Sequence, residues 1–247
     1  MPSIESTVDA GFAARHAELA RGYGGGGDPA DPELVQAMQM VLHIPKNDPP
    51  ARSTLLAAAA SSVVALCLDE RVGPGGEWEE RYLTWKRSRI RKVARRARGA
   101  QWLAAQEVDG VTVEFAGAQA RAFVPGPVGD IDPRIKRLQI SGTELPIEDS
   151  IAIDPESPVL WVNAELGMTV GKAAAQVGHA SMLLAGALSV RRVYAWAAQG
   201  FRCTVAEADP GRWAELRRSV AEGGAVAVRD AGFTEVAPGS TTVIAVP

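Results

Sequence analysis

The chain has 247 residues, 47% of them apolar and 22% charged, with a net charge of −3. That length buries a substantial core without disulfide or metal staples, so a miniprotein, a fibre and a disordered chain are excluded. The near-neutral balance argues against a uniformly basic nucleic-acid coat, while leaving room for local basic patches.

Residues 1–30 run into four consecutive glycines and Asp-Pro turn signals, which predicts a flexible N-terminal tail. The first twenty residues carry acids and lack the apolar core of a secretory signal. Cys67 and Cys203 lie far apart in apolar runs and read as reduced core thiols, so a cytoplasmic location is expected. The longest uncharged apolar stretch, residues 55–68, is too short to span a bilayer, and no membrane partner is expected.

Gln39–Ile44 reads as a strand and Arg52–Leu68 as an apolar helix. The segment 86–98, KRSRIRKVARRAR, carries eight basic residues in thirteen. As a helix it groups Arg87, Arg91, Arg95 and Arg98 on one face around a narrow stripe of Ile90, Ala94 and Ala97. That face is a candidate for nucleic-acid backbone phosphates, with Trp85 stacking on an unpaired base, or else a solvated helix neutralised by Glu77, Glu79 and Glu80. Ala100–Ala105 and Ile135–Ile140 read as strands.

Three prolines and an acidic bias between residues 143 and 158 place a boundary near 150. The expected organisation is a tail (1–30), a partner domain (31–150) and a catalytic domain (151–247). In the last of these, Val159–Ala164 reads as a buried strand, Gly171–Leu188 as a helix and Phe201–Ala206 as a strand. Asp209 caps a helix with Pro210 at its first position, and Ala225–Arg229 and Thr241–Val246 complete four strands. The first half echoes this order and suggests a diverged internal duplication, with an insertion around residues 73–90. Its copy, carrying His43 and Lys46 where the second half has Gly-Lys, looks catalytically empty. The fold class expected is α/β, with a mixed four-stranded sheet flanked by helices in the C-terminal domain.

The strongest local signal is GMTVGKAAAQVGHA (167–180), where a strand turns into a helix. A helix start presents free N–H groups and a positive dipole end, suited to a phosphate or an oxyanion. Lys172, Gln176 and His179 fall along one helical face, so a cation, an amide and a titratable base line up. The spacing is wrong for a nucleotide-binding P-loop, because three residues rather than four separate Gly167 from Gly171, and Ala173 follows the lysine. A second segment, VRDAGFTEVAPGSTTV (228–243), sets Asp230 and Thr234 at a strand's carboxyl end, where open α/β sheets bind ligands. The plainer alternatives are a structural His179 and an Asp230 that only fixes a turn.

Together the two segments resemble the peptidyl-tRNA hydrolase family of the archaeal and eukaryotic type, over about residues 158–247. In that family Met-Gly-Lys-Gly-Lys-x-Ala-Ala-Gln-x-x-His is followed by Asp-Ala-Gly-x-Thr. The resemblance implies a mixed four-stranded sheet, cleavage of the ester joining peptide to tRNA, and no known metal or other cofactor. Carried over, the implied site is Lys172, Gln176, His179, Asp230 and Thr234. Thr169, Val170 and Phe233 depart from the family's Gly, Lys and Arg.

The leading reading is therefore a hydrolase in translation, acting on peptidyl-tRNA by direct water attack. Lys172, His179, Asp230 and Thr234 are the catalytic candidates, and Gly171, Gln176, Arg87, Arg91 and Arg95 the substrate-binding ones. The alternatives are a non-catalytic RNA-binding regulator, or a hydrolase of a smaller acyl ester. The partner expected is tRNA, with the chain either a homodimer or its own pseudo-dimer.

Overall fold

The structure, a computed structural model, describes residues 8–22, 25–148, 150–232 and 234–247. In chain order the first half comprises α1 (Ala10–Ala20), β1 (Gln36–His43), α2 (Arg52–Cys67), α3 (Glu79–Arg87), β2 (Lys92–Ala97), α4 (Ala100–Ala105), β3 (Gly110–Phe115), β4 (Ala118–Phe123), β5 (Gly126–Pro127) and α5 (Pro133–Lys136). The second half comprises β6 (Val159–Asn163), α6 (Val170–Ala187), α7 (Val190–Ala198), β7 (Thr204–Ala208), α8 (Pro210–Ala221), β8 (Val226–Arg229) and β9 (Thr241–Val246).

The two halves repeat one connectivity. The first sheet runs β2-β1-β4-β3, with β5 also pairing β1, and the second runs β7-β6-β9-β8. In each, the first two strands of the half pair in parallel and the closing hairpin adds antiparallel. Register fixes the correspondence: Ala122 lies opposite Met40 and Val111, and Ala245 opposite Leu160 and Val226. Side chains agree with it. Trp85 donates its indole N–H to the carbonyl of Arg91 (3.1 Å), and Trp196 does the same to Arg202 (2.6 Å).

Four expectations for the first half are corrected. Residues 73–90 are not wholly an insertion, because α3 corresponds to α7, and the extra chain lies between α2 and α3. Ala100–Ala105 is helical rather than extended: its Ala, Gln and Leu are strong helix formers, and Trp102 and Ala105 bury one face, as Trp213 and Leu216 do in α8. Ile135–Ile140 is not a strand, since Asp132 caps α5 with Pro133 at its first position, leaving a single bridge between Gln139 and Arg96. The basic segment is not a helix. As β2 it pairs with β1 along six residues and alternates, Ala94 facing the central core and Ala97 the outer one. Such burial on both faces exceeds what a mostly basic helix gains from a narrow apolar stripe.

The tail expected over residues 1–30 also contains α1, capped by Asp9 and burying Phe12, His16 and Leu19. His16 Nε2 meets the carbonyls of Ala185 and Leu188 at 3.0 and 3.1 Å, covering the C-terminus of α6. The remaining tail positions, 1–7 and 23–24, lie outside the described residues. No helix among the described residues is long and apolar enough to cross a membrane.

Helices α2 and α6 sit face to face between the sheets, and both contribute to one continuous apolar cluster. Their contact is close because their facing residues are small. Ser181 Oγ donates to the carbonyl of Ala60 at 2.8 Å, and a Cβ added to Gly178 meets Val63 Cγ2 at 2.9 Å. Arg52 ties the halves again through Glu207 (2.9 Å) and the Met168 carbonyl (3.1 Å).

Gly178→Leu is therefore expected to destabilise the protein by roughly 1–3 kcal/mol through overpacking. Gly186→Ala, whose added carbon finds ordinary contact distances, should be neutral or gain up to about 1 kcal/mol of helix propensity. Urea unfolding of both variants checks the pair.

Candidate active site

The β6–α6 turn and the β8–β9 loop converge at the carboxyl ends of the second sheet's strands, and their side chains form one connected cluster. Thr169 caps α6, its hydroxyl accepting from the Lys172 backbone N–H at 3.2 Å. Lys172 Nζ lies 2.6 Å from Asp230 Oδ2 and 3.2 Å from Thr234 Oγ1. Gln176 Nε2 donates to Asp230 Oδ2 at 2.8 Å, and its carbonyl accepts from the buried Thr242 hydroxyl at 2.6 Å. The other Asp230 oxygen accepts from the Gly232 N–H at 2.7 Å. Gly232 has φ +80° and leaves no room for a Cβ, which would meet Pro238 at 2.4 Å. That is why Asp-Ala-Gly stands at this bend.

The side chains of Lys172 and Asp230 are each only 8% exposed, and both line a cavity of about 550 Å³. Its far wall comes from the first half: Arg89 to Ala94, at the start of β2, and Ile140. His179 lines the cavity as well, but its Nδ1 is hydrogen-bonded to Lys92 Nζ at 2.9 Å. Lys92 is buried, with Met182 Sδ at 3.1 Å and the Trp85 ring 5.1 Å away. Burial pulls its ammonium down to about 7. Burial, then the positive charges of Lys92 and Lys172, hold His179 well below an ordinary imidazole.

The structure thus brings Lys172, Gln176, His179, Asp230 and Thr234 to one hollow, with Gly171 in its lining. The α6 start, however, is not an open anion cradle. The Thr169 N–H goes to Glu235 (3.1 Å), the Gly171 N–H to Thr143 Oγ1 (3.0 Å) and the Lys172 N–H to Thr169. The arginine face dissolves with the helix that defined it. Arg91 reaches the cavity, held by two bonds to Asp28 at 2.7 and 2.8 Å. Arg95 is buried and donates to Gln39 (3.1 Å) and the Leu138 carbonyl (2.8 Å). Arg87 is exposed at the end of α3, outside the cavity lining, and Trp85 is fully buried and unable to stack on a base. Phe233 lies outside the described residues.

Sequence reasoning missed Lys92, Thr143, Glu235 and Thr242. For Lys92 a signal existed: Trp85 and Trp102 are seventeen residues apart, as are Trp196 and Trp213, which aligns the halves and makes β2 a strand. The same alignment, counted from the helix caps Ala51 and Thr169, puts Thr54, Ala58 and Ser61 where the second half has Lys172, Gln176 and His179. Phe115 stands at the place of Asp230, so the first half lacks the cluster.

The second half is thus a mixed four-stranded α/β unit with a polar cluster at its strand ends. Residues 157–247 match the family model of peptidyl-tRNA hydrolase PTH2, which spans β6 to β9 and all five clustered side chains. The first half lies outside that match. No curated protein matches the chain.

Because Lys92 and His179 both bind protons less readily folded than unfolded, the unfolded chain takes up the extra protons as pH falls. Stability is expected to decline from about pH 9 towards pH 7 through Lys92, and again below about pH 6.5 through His179. Above about pH 9 the buried thiols, Cys67 pushed up to about 11 and Cys203 to about 12, act with the opposite sign. Calorimetry should find Tm lower at about pH 6 than at pH 9 by roughly 5–10 °C, with Lys92→Met flattening the upper part of that slope.

Proposed function

We propose that the protein hydrolyses the ester bond of peptidyl-tRNA by direct attack of water. The observation that carries this reading is the Lys172–Asp230–Thr234–Gln176 cluster, which opens on a cavity inside the segment that matches the hydrolase family. Asp230 is the hub: three donors fix both its oxygens, so its position is set before substrate arrives. Thr234 accepts from Lys172 and keeps a hydroxyl proton to orient the incoming water or the ester carbonyl. Lys172 supplies positive charge where the oxyanion develops, in a pocket partly shielded from solvent. Direct water attack is preferred to a covalent intermediate, since none of the clustered side chains is a serine or cysteine nucleophile activated by a neighbouring base. Arg89 and Arg91 at the cavity wall suit the phosphates of the tRNA 3′ end, and the substrate places the protein in the cytoplasm. The first half acts as the partner that walls the site, and the chain serves as its own pseudo-dimer.

A second reading, hydrolysis of a smaller acyl ester, is favoured by one feature: the N–H groups of Thr169, Gly171 and Lys172 at the start of α6 are already taken by Glu235, Thr143 and Thr169, so they do not form an open phosphate cradle.

Turnover of purified peptidyl-tRNA should fall about 10²–10³-fold in Asp230→Asn and in Lys172→Ala. Undiminished rates in both would defeat the site, and salt-dependent binding without turnover in the wild type would mark a regulator. Arg91→Glu should raise KM for peptidyl-tRNA in a salt-dependent way while leaving an N-acyl amino-acid ethyl ester unaffected. Faster wild-type turnover of that ethyl ester than of peptidyl-tRNA would favour the smaller substrate.

A further inference from the structure

We propose that Lys92, supplied by the first half, is a positioning residue of this site: by donating to His179 Nδ1 it holds the imidazole in the tautomer that carries its proton on Nε2. The inference rests on the hydrolase reading for its kinetic consequence, but not for its structural content.

An ammonium has only donors, so across the 2.9 Å contact His179 Nδ1 must accept. A neutral imidazole accepting at Nδ1 bears its hydrogen at Nε2. His179 lines the cavity together with Lys172 and Asp230, so its tautomer fixes which ring nitrogen carries hydrogen in the wall of that hollow. Nothing in the folding of the first half calls for a lysine here. Lys92 is among its buried residues, its other neighbours include Met182, the Trp85 ring and Cys67, and among the described residues no carboxylate forms an ion pair with it. Burying an ammonium in such company is costly unless another function retains it.

The internal repeat supplies a control. Register makes Cys203 the counterpart of Lys92, and counting from the helix caps makes Ser61 the counterpart of His179. That second pair also meets across the same crossing of strand and opposite helix, Ser61 Oγ lying 3.9 Å from Cys203 Sγ. Small, neutral groups therefore satisfy the packing where no cluster like that around Asp230 is present. Only the crossing that faces Lys172 and Asp230 carries the cation and the imidazole.

The groups facing Lys92 are His179 and Met182 on α6, Cys67 on α2 and Trp85 on α3, while Lys172 acts on the same imidazole. The ammonium locks the tautomer while it is charged. Deprotonation, near neutrality, leaves an amine able to donate or accept, and the lock is released.

The test is nitrogen NMR of the His179 ring, with kinetics beside it. At about pH 6 the wild type should show Nδ1 unprotonated and Nε2 protonated, and the Nδ1 signal should move as Lys92 titrates between about pH 6 and pH 8. In Lys92→Met the tautomer preference should be lost and the His179 titration should move up towards an ordinary imidazole. With peptidyl-tRNA, Lys92→Met should lose about 10–100-fold in kcat with KM changed less than about twofold, and should cost nothing further when added to His179→Ala. Wild-type kcat in Lys92→Met with unaltered ring signals would overturn the proposal. So would a wild-type Nδ1 signal that is protonated, or one that ignores pH across that range, and neither measurement requires a variant to fold. Absence of any wild-type turnover would instead defeat the hydrolase reading, and the ring signals would still decide the role of Lys92.

Discussion

The close approach of α2 and α6 is the constraint on which the rest of the molecule depends. Two helices rich in Ala, Ser and Gly lie against each other between two sheets, so each is buried on nearly every side. A helix in that position cannot place charge freely. Polar groups survive only at its ends, where a turn opens to solvent, or where a partner is built for them. Lys172, Gln176 and His179 occupy the first turns of α6 for that reason, and each is answered by a group from a different element.

The shared connectivity of the halves then explains how the labour is divided. In the second half a long loop joins β8 to β9 and delivers Asp230, Thr234 and Glu235. In the first half a two-residue turn, Ala116 at φ 48° and Gly117 at φ 81°, joins β3 to β4, and Phe115 takes the place of the carboxylate. Arg202, the counterpart of Arg91, lies over that ring with 5.8 Å to its centroid. The same scaffold thus carries a polar hollow on one side of the α2–α6 crossing and a packed aromatic on the other. The first half contributes to the hollow from outside, through the edge strand β2, which would otherwise expose its unpaired face.

Electrostatically the two lysines that line the hollow differ in standing. Lys172 has a carboxylate at 2.6 Å and belongs to a compensated cluster, with Gln176 and Thr242 fixing the orientation of its partner. Lys92 faces an imidazole, a thioether and an indole, which lower the cost of its burial only in part. Glu235 and Thr143 meanwhile consume the donors at the start of α6, so the positive end of that helix is neutralised from within. The chemistry available to a ligand therefore comes from side chains rather than from the helix terminus.

What the sequence determined was local. The Thr169 turn, the run of small residues in α6, the Asp209-Pro210 start of α8 and the bend at Gly232 are set by caps, propensities and allowed φ values, and the second half was legible in these terms. The five clustered residues were legible too, because their spacing along one helix face and one loop is a property of the chain. The basic segment was not. Its fate turned on whether β1 lay alongside to pair with it, a contact between residues some fifty positions apart, which buried Lys92 on one face and Arg95 on the other and left Arg91 half-buried just before the strand. Only the tertiary structure could bring Lys92 to His179 and occupy the N–H groups of α6, since burial and partnership arise from long-range packing that no local pattern encodes.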